Sequence, residues 1–154
     1  MLSDSEHREI EEELSRYPDK QAVCVDALKI VQRHRGWVSD EALKDVAALL
    51  GMSPHEVDGV ATFYNLIYRR PVGRHVIHVC DSVSCWVMGC GGICEHLKAR
   101  LGIGMGGTTQ DGRFTLLPIV CLGVCDVAPA MMVGETTHGG LTPERVDEIL
   151  EQYP

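Results

Sequence analysis

Basic charge is scarce in this chain. Fourteen lysines and arginines face 22 aspartates and glutamates, for a net charge of -8 and a pI of about 5.3. Nucleic acids and anionic lipid surfaces select basic faces, so the charge argues against both as partners. Long apolar runs are missing as well. The longest, 114–124, contains Pro118 and falls well short of the roughly 20 residues needed to span a bilayer. The first 13 residues are acidic and lack a basic-then-apolar pattern, so no export or organelle address is read there. Paired carboxylates, a Ser/His/Asp set and an activated nucleophile are also lacking. The run Gly102-x-Gly104-x-Gly106-Gly107 has neither the spacing nor the setting of a phosphate-binding loop.

What the chain does contain is ordered. A length of 154 residues suits one domain, or two small ones, and is enough to bury a real interior. The first half reads as short helices: 6–14, 22–35, 41–50, and one opening at Ser53-Pro54 that carries Val57, Val60, Ala61 and Tyr64. Ser39 is placed to cap the third, and Ser53-x-x-Glu56 forms a capping box for the fourth. No chemistry is visible in these helices. From Arg74 the periodicity changes to strands at 75–79 and 114–120, a helix at 89–101 and a glycine-rich loop at 102–111 between them. A terminal hairpin at 131–133 and near Thr136 follows, then a last helix from Pro143 to about Gln152. The expected class is α+β. A helical bundle over 1–73 precedes an α/β layer of the thioredoxin-like kind over 74–154.

Seven cysteines without a signal peptide fit a reducing, cytoplasmic compartment, where thiols serve metals or redox chemistry. Two pairs stand out: Cys80-Asp-Ser-Val-Ser-Cys85 and Cys121-Leu-Gly-Val-Cys125, each just after a predicted strand. Thiolates bind soft metals, so zinc and iron–sulfur are the candidates. Structural zinc favours C-x₂-C knuckles, whereas these spacings are C-x₄-C and C-x₃-C. The wider loops suit a 2Fe-2S cluster, whose two irons each take two thiolates. The absence of a C-x-x-C at a helix start disfavours a dithiol redox site. Of the rest, Cys24 reads as a buried small apolar residue. Cys90 and Cys94, four apart on a helix, could face one way and read as packing, with service as spare ligands the alternative, since Cys90 is five residues from Cys85. His75 and His78 point to opposite faces of a strand, and His138 reads as a solvated loop residue. With a metal centre and no substrate chemistry of its own, the chain reads as an electron carrier, not a catalyst. A zinc-stabilised interaction module is the alternative of another class.

Three blocks carry a resemblance: the two cysteine loops, the second running into Asp126, and Asp111-Gly-Arg-Phe-Thr-Leu-Leu-Pro118. They resemble the thioredoxin-like 2Fe-2S ferredoxin family, in particular the small 2Fe-2S subunits (the E type) of NADH–quinone oxidoreductase, respiratory complex I. The helical half matches too, in Gly36-Trp-Val38, Val60-Ala-Thr-Phe-Tyr64 and Pro71-Val-Gly73, so the similarity runs from about Tyr17 to the end of the chain. The resemblance implies one 2Fe-2S cluster on Cys80, Cys85, Cys121 and Cys125. It also implies a flavoprotein partner (the F type) that carries FMN and binds NADH, within a larger respiratory complex on the cytoplasmic side of the membrane. This chain would then be a non-catalytic electron-carrier subunit with no NADH site of its own. The same small-subunit type occurs in NAD-linked formate dehydrogenases and hydrogenase diaphorase modules, which remain alternatives. Cys90 and Cys94 do not belong to the family's ligand pattern. Asp81 and Asp126 follow the first and last of the four cysteines, with no Lys or Arg inside either loop, so a low reduction potential is expected.

Overall fold

Serines open three of the first four helices. The computed structural model describes all 154 residues, Met1–Pro154, in two units, Met1–Pro71 and Val72–Pro154. In the first, Ser3 and Glu6 form a capping box at the start of α1 (Asp4–Leu14). Ser39 accepts the Ala42 N–H ahead of α3 (Asp40–Leu50), and Ser53 with Glu56 forms a second box on α4 (Pro54–Phe63). Each box satisfies amide groups that have no partner within the helix. The remaining helix, α2 (Cys24–Arg35), follows a 3₁₀ turn over Lys20–Val23 whose start is capped by Asp19. Gly36 and Gly51 close α2 and α3 in the left-handed conformation.

The apolar faces of these helices meet in one core that includes Ile10, Leu28, Val31, Val38, Val46 and Val57, all fully buried. Removing side chains of this size from water contributes roughly 1.5–3 kcal/mol each. Cys24 belongs to this core as well, as a small apolar residue. Helix α1 is tied to α2 by charge. Arg35 donates from both Nε and Nη2 to the Glu6 carboxylate at 2.6 Å, and Arg33 and His34 both reach Glu9. Phe63 and Tyr64, at the end of α4, stay exposed with their rings edge to face at 5.3 Å.

The second unit is a four-stranded sheet with helices packed on it. Strand β1 (His75–Cys80) leads through two helices, α5 (Val83–Val87) and α6 (Cys90–Leu101), to β2 (Phe114–Ile119). Strands β3 (Met131–Val133) and β4 (Thr136–His138) form a hairpin, and α7 (Pro143–Glu151) ends the chain. The strand order is β2-β1-β3-β4, with β1 and β2 parallel and the other two pairings antiparallel. Pro118, which cannot donate to a ladder, lies on the edge strand β2. Ile93 and Leu97 of α6 and Val146, Ile149 and Leu150 of α7 share one core with Ile77, Leu116 and Met131 of the sheet.

The Asp111–Pro118 block has a structural role here. Asp111 accepts from the Thr109 hydroxyl and the Arg113 N–H, which closes the turn into β2. Arg113 in turn donates to the Leu150 and Tyr153 carbonyls at the end of α7. A cation placed there complements the negative end of the helix dipole. The class is therefore α+β, with a helical unit first and an α/β unit second. Helix α5 is the one α-helix that the residue pattern did not announce, because five residues are too few to show a period.

Arg35 holds the Glu6 carboxyl down at a pKa of about 2, against 4.5 ordinarily. A depressed carboxylate stabilises the fold above its unfolded pKa and loses that contribution as pH falls through its folded value. The stability of the helical unit should therefore decline between about pH 4.5 and 2, with Glu6 contributing to the decline. Arg35→Ala, which strands a buried carboxylate, should cost about 3 kcal/mol at neutral pH and flatten the acid decline. Denaturant titrations of both chains at several pH values test this. Equal stability of the two at pH 7 would refute it.

Candidate metal centre

Parallel pairing of β1 with β2 brings the two cysteine loops to one end of the sheet. Cys80 is the last residue of β1 and lies opposite Ile119, the last of β2. The Asp81 N–H donates to the Ile119 carbonyl at 3.1 Å, and the Cys80 thiol reaches the Val120 carbonyl at 3.5 Å. Cys121 therefore begins its loop beside the end of the strand that delivers Cys80. The Ala130 carbonyl, just before β3, accepts the Cys80 N–H at 3.1 Å and holds the same end from the other side.

The two pairs differ in surroundings. Cys85, in α5, and Cys80 are buried together with Cys90, Ile119 and Ala130. Burial pushes the Cys85 thiol up to a pKa of about 11; the Cys80 thiol adds to the rise, and the Ala130 N–H opposes it. Cys121 and Cys125 are exposed, with sulfurs 3.9 Å apart. Their loop folds back so that the Gly123 N–H donates to the Cys121 sulfur at 3.3 Å, and it ends in a 3₁₀ turn over Cys125–Val127. Gly123 has φ of 76°, a left-handed conformation that a side chain disfavours. Gly139 supports that turn from behind: a Cβ there would lie 2.3 Å from a Val127 methyl.

The four thiols of the two spaced motifs thus share one end of the sheet as two separate pairs. No three His, Cys, Asp or Glu side chains come together closely enough to hold a single ion. All seven cysteines are free of disulfides. The glycine-rich loop plays no part at the sulfurs. Gly106 and Gly107 pair with Leu116 of β2, and Thr108 bridges to Thr115. The two histidines of β1 are not drawn in either. His75 packs on Tyr153 with ring centroids 5.2 Å apart, and the fully buried His78 has its pKa lowered by desolvation. His138, read as a solvated loop residue, instead lies in β4 with its Nε2 3.2 Å from the Tyr153 hydroxyl.

Two features of the site escaped sequence reasoning. Cys90 and Cys94, though one turn apart, are in different surroundings. Cys90 joins the buried thiols, whereas the half-buried Cys94 packs against the core beneath the sheet. The rim is also strongly apolar: Val83, Trp86, Val87 and Met88 around Cys85, and Val120 and Val127 beside the exposed pair, are between 45% and 71% exposed. Trp86 and Val87 next to a cysteine are the only sequence signal for that rim, and it is weak.

An α/β unit of the thioredoxin-like kind with two thiol pairs at one sheet end offers the donor set of a thiol-ligated metal centre. Comparison with known proteins narrows the class. The family model for thioredoxin-like 2Fe-2S ferredoxins matches residues 10–154, and the chain belongs to that family. It is 50% identical over 153 residues to the E subunit of NADH-quinone oxidoreductase from Pseudomonas aeruginosa, covering 99% of this chain and 92% of that protein. The E subunit of the Escherichia coli K12 enzyme is 53% identical over 152 residues, with the same coverage. Among solved structures, an NAD+-reducing NiFe hydrogenase in its air-oxidised state superposes with a TM-score of 0.71 at 27% identity, over 85% of this chain and 22% of that one.

Gly123→Ala should cost about 1 kcal/mol through the left-handed backbone and pull the amide away from the Cys121 sulfur. Thermal unfolding and metal content of the purified chains check this. Unchanged values in both would show that the loop is not held by its glycine.

Proposed function

We propose that this chain is the electron-transfer subunit of an NADH–quinone oxidoreductase. It would hold one 2Fe-2S cluster on Cys80, Cys85, Cys121 and Cys125 and exchange electrons with the FMN of an NADH-oxidising flavoprotein partner. The observation that carries this reading is the set of two thiol pairs at the ends of neighbouring parallel strands, in a chain about half identical to its NADH-quinone oxidoreductase relatives over nearly its whole length. The donor set fits the group. A tetrahedral metal with bonds of about 2.3 Å to sulfur spaces two sulfurs about 3.8 Å apart. The Cys121 and Cys125 sulfurs stand at 3.9 Å. The C-x₄-C and C-x₃-C spacings suit two metal ions better than a single zinc, which favours C-x₂-C knuckles.

Bound there, a 2Fe-2S cluster supplies one-electron exchange with no bond made or broken. The protein's own residues set the conditions. Cys80 and Cys85 anchor the inner side, away from water, while Cys121 and Cys125 lie at the surface from which a partner could approach. Gly123 offers its N–H group to the Cys121 sulfur, which favours the more negative state. Asp81 and Asp126, both exposed, oppose added negative charge and hold the potential low. The apolar rim of Val83, Trp86, Val87, Met88, Val120 and Val127 would exclude water where the flavoprotein seats. No helix is long and apolar enough to cross a membrane, so attachment to the cytoplasmic face would come through the complex. A second reading, the equivalent component of a hydrogenase diaphorase module, draws on the superposition with the NAD+-reducing hydrogenase. Co-purification from the native cell separates the two readings by the catalytic subunits recovered.

Anaerobic purification should yield about two irons and two sulfides per chain, EPR-silent as isolated and giving a rhombic spin-half signal after dithionite. One zinc and no signal would refute the reading. Trp86→Asp should leave iron content intact and slow reduction of the cluster by NADH in the assembled complex. An unchanged rate would remove α5 from the docking face.

A further inference from the structure

We propose that Cys90 is a reserve iron ligand, whose thiolate takes the place beside Cys80 when Cys85 is lost. The inference rests on the 2Fe-2S reading above and extends it to a residue outside that ligand set. Cys90 is the first residue of α6, 4% exposed, and packs in one buried cluster with Cys80 and Cys85. A third cysteine therefore lies in the buried cluster that holds the inner pair, although the three are not gathered about a single point. The same chain stretch offers room to adjust. Gly89 links α5 to α6 with φ of 92°, and Gly91 and Gly92 fill the first turn of α6 with open space where each Cβ would stand. Each glycine weakens a helix by about 1 kcal/mol relative to alanine, so that turn shifts at low cost. Cys94 lacks the placement, since it packs with the sheet core.

The chemistry is ligand exchange with no change of oxidation state. The Cys90 S–H gives its proton to solvent, and the thiolate forms the sulfur–iron bond that Cys85 would otherwise make. The outer pair has no such neighbour, because the remaining cysteines, Cys24 and Cys94, pack in the cores of the helical unit and the sheet. A loss on the inner side is thus covered and a loss on the outer side is not.

The test compares iron, sulfide and EPR in full-length chains reconstituted with ferrous iron and sulfide. Cys85→Ala, and Cys85→Val, which refills the buried volume, should each keep about two irons and two sulfides per chain, with g-values displaced from those of the unsubstituted chain. Adding Cys90→Ala to Cys85→Ala should lower iron retention about tenfold or more, whereas adding Cys94→Ala should not. Cys121→Ala should lose its iron without any second substitution. If both Cys85 variants emerge without iron, folded or not, while the unsubstituted chain holds its cluster, the reserve role is overturned and the parent reading stands. Equal iron loss on adding Cys94→Ala and Cys90→Ala also overturns it. An unsubstituted chain that takes up no iron overturns the parent reading, and this inference with it.

Discussion

The pairing of β1 with β2 is the constraint on which the rest of the site depends. Parallel strands point their C-terminal ends the same way, so two loops far apart in sequence leave the sheet side by side. Cys80 and Cys121 come to the same end of the sheet for that reason, and not because any local motif binds them. Parallel pairing needs a long crossover, supplied by α5, α6 and the glycine-rich loop. Leu97 of α6 and Val146 of α7 bury themselves against Ile77 and Leu116, so packing beneath the sheet holds the strands in the register that the thiols require. Damage to that core would scatter the thiol pairs without touching a sulfur.

The helical unit obeys a different logic. Three of its helices are started by serines, two are closed by glycines, and all are held by one apolar core, with charge pairs between α1 and α2 at the edge. Nothing in it resembles a site. The exposed Phe63–Tyr64 pair lies in one of the blocks that carry the family resemblance, and exposed aromatics side by side are costly to leave in water. Their exposure sets them apart from Val60 and Ala61 of the same block, which pack in the core.

Much of this was legible in the residues. The four longer helices of the first half follow from apolar spacing and from Ser39 and the Ser53–Glu56 box, because caps and periodicity are local signals. The two strands that deliver Cys80 and Cys121, and the hairpin after them, follow from β-branched runs and turn residues. The departures are of a different kind. Helix α5 is too short to show a period, and it exposes the apolar residues by which helices are usually recognised. His138 looked like a loop residue because its partner, Tyr153, comes from the far end of the unit. Cys90 and Cys94 share a helical spacing, yet Cys90 joins the thiols beside α5 while Cys94 packs on the sheet core. Spacing alone cannot distinguish the two neighbours.

The difference in burial between the pairs ties structure to proposed role. Sulfurs enclosed by Ile119 and Ala130 are shielded from water and oxidants, and a metal group held there would be retained by packing as well as by ligation. Exposed sulfurs have no such shield, and Cys121 and Cys125 depend on a loop bent by Gly123 and braced at Val127. A carrier needs one open side, since electron exchange falls off with distance, and it needs the other side closed to remain intact. The apolar rim reconciles the two demands. Trp86, Met88 and Val120 remain a cost in water until a partner covers them, and the cover that relieves that cost would also seal the exposed pair. Docking and protection of the site would then be the same event.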